Sequence, residues 1–163
     1  MAEQHKSVLI VEDDRGLREQ LMQILSTAPD LHCVGAFSSA EEALEKFPKP
    51  RPDVVLMDIK LPGMSGIECV AELKRSYPDL QIIMVTVYED SERIFRALKA
   101  GASGYLVKSS PPSQLLEAIR DVFRGGAPMS SHIARKVVQH FHMVGPSQQE
   151  AENLSPRERE VLD

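Results

Sequence analysis

The chain has 163 residues, and none of its apolar runs approaches the length of a membrane span. Its opening, Met1-Ala2-Glu3-Gln4-His5-Lys6, has no hydrophobic stretch of the kind a secretory signal needs. These two absences predict a cytoplasmic protein that does not engage a membrane. Cysteine is scarce, with two residues, Cys33 and Cys69, and no CxxC spacing, which excludes a thiolate metal knuckle or a dithiol redox centre. Both are expected to be reduced packing residues. Positive charge is also short: 19 Lys and Arg against 24 Asp and Glu leave a net charge of -5, which excludes a broad phosphate-gripping face. The five histidines are scattered, and no metal role is assigned to His132, His140 or His142.

What the chain does have is ordinary globular material, 42% hydrophobic and 26% charged, enough for one core-forming domain and a tail. Short apolar runs alternate with helical stripes. Ser7 to Val11 reads as a first strand, followed by a helix over about residues 15–28 through Leu17, Leu21, Ile24 and Leu25. Leu31 to Phe37 is a second strand, and Ser38-Ser39 caps a short helix reaching Phe47. Asp53-Val54-Val55-Leu56-Met57-Asp58 is a buried third strand, with a helix after Ile67 that stops near Tyr77-Pro78. Leu80 to Val87 is a fourth strand, and a helix from Ser91 ends at Gly101. Ser103 to Val107 is the fifth strand, and Pro111-Pro112 opens a fifth helix that ends at Gly125-Gly126.

Five strands alternating with five helices predict an α/β fold: a doubly wound parallel sheet of order 2-1-3-4-5 with helices on both faces. That order sets the carboxyl ends of strands one and three side by side at the topological switch point, where Glu12, Asp13 and Asp58 would meet. Three converging carboxylates repel one another unless a cation neutralises them, and an all-oxygen site of this kind suits Mg²⁺. Asp13 and Asp58 are the expected direct ligands, Glu12 holds a coordinated water, and Asp14 turns outward. Asp58 is then the candidate nucleophile for an aspartyl phosphate. Thr86 and Lys108, each closing a later apolar run, would bind phosphoryl oxygens by a hydroxyl hydrogen bond and a point charge.

Over residues 6–126 these features resemble the receiver domain of two-component response regulators. The matching motifs are Val11-Glu12-Asp13-Asp14, the stretch from Met57-Asp58 through Lys60-Leu61-Pro62-Gly63 to Gly66, Thr86, and Gly104-Tyr105-Leu106-Val107-Lys108. The resemblance implies a flavodoxin-like fold and a phosphoryl group accepted on Asp58 from a sensor histidine kinase. It also implies Mg²⁺ held by Asp13, Asp58 and the Lys60 backbone carbonyl, and a switch in which Thr86 moves inward and Tyr105 follows. Residues two past the acceptor and two past the switch threonine tune phosphate lifetime in the family, here Lys60 and Tyr88. A bulky Tyr88 is expected to shield the phosphoryl group from water. Two positions depart from the pattern: Val87 stands where a small residue is common and narrows access to the site, and Ser109 follows Lys108 where proline is common.

Three domains are expected: a receiver at 1–126, a linker helix and flexible linker at 127–153, and the start of an output domain at 154–163. The linker helix is read from Ile133, Val137, Val138 and Phe141, and the linker from Gly145 to Glu150. Leu154-Ser155-Pro156-Arg157-Glu158-Arg159-Glu160-Val161-Leu162 opens with a capping box and resembles the start of the LuxR-type helix-turn-helix of NarL/FixJ regulators. The sequence is expected to end inside that domain, so DNA binding and transcription control belong to a longer parent. A homodimer through the first or fifth helix is implied by the subfamily. The alternative is a degenerate receiver that acts as a phosphorylation-independent interaction domain. A dehalogenase-type phosphatase would need its nucleophile after strand one, and a flavin module would need a phosphate loop where Glu12-Asp13-Asp14 stands.

Overall fold

The computed structural model describes residues 5–144. The expected linker from Gly145 and the helix start from Leu154 lie outside the described residues. The strands are β1 (Lys6–Val11), β2 (Leu31–Phe37), β3 (Val54–Met57), β4 (Gln81–Thr86) and β5 (Gly104–Val107). The helices are α1 (Arg15–Ser26), α2 (Ala40–Glu45), α3 (Gly66–Ser76), α4 (Ser91–Ala100), α5 (Pro112–Val122) and α6 (Ser131–Val144). The sheet is all parallel, in the order β2-β1-β3-β4-β5, as the alternation predicts, and the fold is flavodoxin-like.

Strand alternation splits the core in two. Leu9, Val11, Val55, Met57, Ile82, Met84 and Tyr105 face α2, α3, α4 and α6, while Val8, Ile10, Val54, Leu56, Ile83, Val85 and Leu106 face α1 and α5. The period of two along a parallel strand, with both faces covered, makes every residue of β3 apolar and buried. Truncating one of them, Leu56→Ala for example, costs roughly 2–5 kcal/mol. Register is pinned at the opposite edge from the acids: Ser7 donates its N–H (2.8 Å) and hydroxyl (3.1 Å) to Asp53, whose own N–H returns to the Ser7 carbonyl at 2.9 Å.

Several boundaries differ from expectation. Helix α2 stops at Glu45 and Phe47 instead stacks on Tyr77, with ring centroids 5.0 Å apart. The Lys46 N–H closes that helix on Glu42, and Pro48 follows at once. Helix α1 ends two residues early because Thr27 caps it, with its hydroxyl on the Ile24 carbonyl at 2.7 Å. Beyond Gly126 the chain stays on the sheet. The Tyr105 N–H donates to Pro128 (2.9 Å), the Ser130 N–H donates to Tyr105 (3.1 Å), and the Val107 N–H donates to the Ser130 hydroxyl (3.1 Å). This edge pairing delivers α6 against α4, where Ile133 is fully buried and Phe95 packs on His140 at 4.0 Å.

Both cysteines are free, Cys33 half-buried in β2 and Cys69 buried in α3. Burial pushes the Cys69 thiol up to about 12, with the charges of Glu41 and Glu72 adding to it. A neutral, enclosed thiol is not a nucleophile. In a thiol-reagent titration at pH 8, Cys69 should react only after denaturant unfolds the protein. Prompt modification of Cys69 in the native state would contradict this packing.

Candidate functional site

Parallel register sets the site. Val11 lies beside Met57, Met57 beside Met84, and Thr86 beside Val107, so the residues that follow each strand emerge along one edge. Glu12, Asp58 and Lys108 are therefore neighbours although far apart in sequence. The Asp58 N–H donates to the Val11 carbonyl (3.1 Å), and the Lys108 N–H to the Thr86 carbonyl (2.9 Å), extending the ladder one step past the strands.

The loop after β3 is folded back over Asp58. Gly63 has φ of 74°, in the left-handed region that favours glycine. The N–H of Gly66 donates to Ile59 at 2.8 Å, and a Cβ at Gly66 would collide with the Asp58 carbonyl, so only glycine lets α3 start this close. Ser65 and Glu68 form a capping box on α3, and the Met64 N–H donates to the Glu41 carboxylate of α2 at 2.7 Å. These contacts fix the loop that presents Ile59 and Lys60.

Both oxygens of Asp58 are engaged: Oδ1 accepts the Ile59 N–H at 2.7 Å and Oδ2 the Lys108 ammonium at 2.8 Å. The same ammonium reaches Glu12 Oε1 at 3.1 Å. Glu12 is held in turn by the Asp14 N–H at 3.0 Å, while Arg18 donates to its backbone carbonyl at 2.8 Å. One oxygen each from Glu12, Asp13 and Asp58 lies within 4.8 Å of the others; Glu12 and Asp58 are buried and Asp13 is exposed. Burial pushes the Glu12 carboxyl above its ordinary range; the Asp14 N–H opposes this, the Asp58 charge adds to it, and Lys108 opposes it. Burial works to lower the Lys108 ammonium, but its hydrogen bond to Asp58 and the two carboxylate charges outweigh it and hold the lysine above its usual value.

An all-carboxylate cluster with one exposed member fits a hard cation that takes oxygen ligands and keeps some of its water. The Lys60 carbonyl accepts no hydrogen bond among the described residues and stands on the exposed loop two residues past Asp58. Asp14 points outward, as expected, and caps α1 by accepting the Leu17 N–H at 3.2 Å. Thr86 is fully buried, with its hydroxyl oxygen accepting the Tyr88 N–H at 3.4 Å. Tyr105 is fully buried as well, and its hydroxyl donates to the Tyr88 carbonyl at 2.8 Å. Val87 is 61% exposed, directed largely to solvent.

Four supporting residues escaped the sequence reading. Glu41 and Arg18 act from neighbouring helices, Ser130 from a segment 23 residues beyond Val107, and Arg93 lies over the Tyr88 ring with its guanidinium carbon 4.2 Å from the centroid. Among the features that shape this loop, the Ser65-to-Glu68 capping spacing has a readable sequence signature beside the Gly63 and Gly66 already read in the motif.

Lys108→Ala would leave the buried Glu12 and Asp58 facing each other without a cation. Breaking such a pair costs roughly 2–3 kcal/mol once its partial exposure is discounted. The raised Glu12 pKa fixes the sign with pH: its repulsion is fully expressed at neutral pH and relieved as pH falls through the raised value. Thermal unfolding of Lys108→Ala should therefore show a lower Tm than the parent at pH 7, with the gap narrowing at mildly acidic pH or on adding a hard divalent cation. A gap that neither treatment changes would mean that the loss comes from packing alone.

Comparison with known proteins places this geometry. The model of the response regulator receiver domain matches residues 8–120. The chain is 39% identical over 155 residues to the response regulator GacA of Pseudomonas protegens, covering 94% of this chain and 72% of that protein. It is 32% identical to the transcriptional regulatory protein LiaR of Bacillus subtilis, covering 95% and 74%. Among solved structures, a LuxR-family two-component response regulator from Aurantimonas superposes with a TM-score of 0.79 at 31% identity, covering 83% of this chain and 97% of that one. With the acids, the lysine and the buried threonine on one sheet edge, and with relatives of the NarL/FixJ type, the chain belongs to the response regulator receiver domain family.

Proposed function

We propose that this chain is a phosphorylation-activated receiver in which Asp58 accepts a phosphoryl group from the phosphohistidine of a sensor histidine kinase. The observation that carries this reading is the Lys108 ammonium shared between Asp58 Oδ2 and Glu12. It is a cation at the point where an anionic donor must approach an anionic acceptor.

In the transfer, a carboxylate oxygen of Asp58 forms the bond to phosphorus while the bond from phosphorus to the imidazole nitrogen breaks. The electron pair of that bond returns to the imidazole. Mg²⁺, held by Asp13, Asp58 and the free Lys60 carbonyl with Glu12 on a coordinated water, would screen the charge of the phosphoryl oxygens. Lys108 exchanges its contact with Asp58 for one phosphoryl oxygen. Thr86 donates its hydroxyl hydrogen to another, since that hydroxyl acts only as an acceptor toward Tyr88 here. Movement of Thr86 is felt first by Tyr88, whose N–H it holds and whose carbonyl anchors Tyr105. In this reading the signal passes through the loop 87–90 to Tyr105, whose hydroxyl holds the Tyr88 carbonyl and which follows Thr86 as the second member of the switch.

Receivers of this family take input from kinases, and the likeness of Leu154 to Leu162 to the start of a LuxR-type domain supports an output delivered to DNA. Helix α6 packs on α4, leaving α1 and α5 on the opposite face of the sheet. That face is where a phosphorylation-dependent homodimer would form. No helix among the described residues is long and apolar enough to cross a membrane.

Incubation with Mg²⁺ and acetyl phosphate, followed by intact-protein mass measurement, should give one added phosphoryl group, absent in Asp58→Ala and after metal chelation. No addition from any small donor or kinase would sink the reading and leave a phosphorylation-independent interaction domain. A second expectation concerns lifetime: Tyr88→Ala should lose the phosphoryl group several-fold faster than the parent, and an unchanged rate would remove Tyr88 as a shield.

A further inference from the structure

Between the loop after Asp58 and the loop after Thr86 runs a groove lined by Ile59, Lys60, Ser65, Tyr88, Arg93 and Arg96. It leads to the residues that adjoin the acceptor, since Ile59 gives its N–H to Asp58 itself. Tyr88 forms one wall. Three contacts hold it: its N–H on the Thr86 hydroxyl oxygen (3.4 Å), its carbonyl under the Tyr105 hydroxyl (2.8 Å), and its ring beneath the Arg93 guanidinium (4.2 Å). The first two fix the backbone, while the ring packs against the edge of the core and lies beneath the Arg93 guanidinium.

Arg93 is itself fixed. Its NH1 donates to Asp90 Oδ1 at 2.9 Å, while the other oxygen of Asp90 caps α4 by accepting the Arg93 N–H at 3.1 Å. The guanidinium is thereby tied to the first turn of a helix whose Ile94 and Ala97 are buried in the core. A planar cation tied to a helix start and placed over an aromatic face is a stiff device, unlike a free lysine on a flexible stem.

We propose that Arg93 is a positioning residue that sets how long the phosphoryl group survives, by clamping the Tyr88 ring over the groove through which hydrolytic water enters. This rests on the reading of Asp58 as phosphoacceptor and Tyr88 as its shield. Arg93 touches neither the acceptor nor the phosphoryl group in this arrangement; it acts on the orientation of Tyr88. Hydrolysis breaks the bond between phosphorus and the Asp58 oxygen, with water supplying the new oxygen on phosphorus and its protons passing to solvent and to the released phosphate. The clamp changes only how often that water reaches phosphorus in line.

The test follows the decay of phosphorylated full chain by intact mass after the small donor is removed, for the parent, Arg93→Ala, Arg93→Lys, Asp90→Asn, Tyr88→Ala and the double variant Arg93→Ala/Tyr88→Ala. Arg93→Ala should lose phosphoryl about two- to fivefold faster, the shift in ring population that a half-exposed cation over an aromatic face supports. Its rate of phosphoryl uptake should stay at the parent value. Arg93→Lys should recover part of the lifetime. Asp90→Asn, which keeps an acceptor for the helix cap but removes the ion pair, should fall between parent and Arg93→Ala. The deciding readout is the cycle: in the Tyr88→Ala background, Arg93→Ala should add nothing. A parent that takes no phosphoryl overturns the acceptor reading and this inference together. A phosphorylated parent with Tyr88→Ala decaying fast and Arg93→Ala decaying at the parent rate overturns the inference alone, as does a full, independent effect of Arg93→Ala in the absence of Tyr88.

Discussion

The arrangement depends on one ammonium group. Lys108 stands 2.8 Å from Asp58 and 3.1 Å from Glu12, two carboxylates that the parallel register forces together in a place largely closed to water. Without a cation the sheet edge would be a seat of repulsion; burial pushes the Glu12 carboxyl up, and the Asp58 charge adds to that. A purely structural domain gains nothing from placing acids there. The strain is tolerable because the flanking strands are buried almost completely, β3 throughout and β1 from Val8 onward, and their packing over-determines where the acids sit.

The same logic explains why the loop after β3 is so heavily anchored. A nucleophile works only if its neighbours keep it in place. Gly66 lets α3 begin against the Asp58 carbonyl, the Ser65–Glu68 box closes that helix start, and Glu41 reaches across from α2 to hold Met64. The contacts come from the start of α3 and from α2, so Asp58 is positioned by the assembled fold rather than by its own strand. The Ile59 N–H on Oδ1 adds a fixed dipole to the acceptor itself.

Strands, helices and their order were legible in the sequence because buried parallel strands read as unbroken apolar runs, and the stripes that cover them repeat at helical spacing. Glu12, Asp13, Asp58 and Lys108 were legible for a related reason: each directly follows such a run, and the switch-point rule says where those ends meet. What escaped was everything set by contacts between distant segments that carry no pattern. Nothing in the sequence near Glu41 points to Met64, and nothing near Ser130 points to the Val107 N–H. Nor does the spacing of Arg93 from Tyr88 announce a stacked pair, since five positions along a loop-to-helix junction have no fixed geometry.

The placement of α6 changes how a signal could leave this domain. Pro128 and Ser130 pair with Tyr105 along the free edge of β5, and the next turn carries His132 to within 3.0 Å of Glu89. Glu89 belongs to the loop whose Tyr88 is bound to Thr86 and Tyr105. The surface contact is worth little by itself, on the order of 0–1 kcal/mol. Its importance is geometric: the loop, the β5 edge and α6 share partners, while Ile133 buries the helix in the same cluster as Tyr105 and Ile94. A shift in the loop large enough to break the Glu89 contact must either carry α6 with it or leave that helix held by Ile133 and the edge pairing alone. Either outcome alters the base from which the chain continues past Val144. An output module needs no contact with the acidic site to sense its state, only attachment to a helix that already shares that loop's partners.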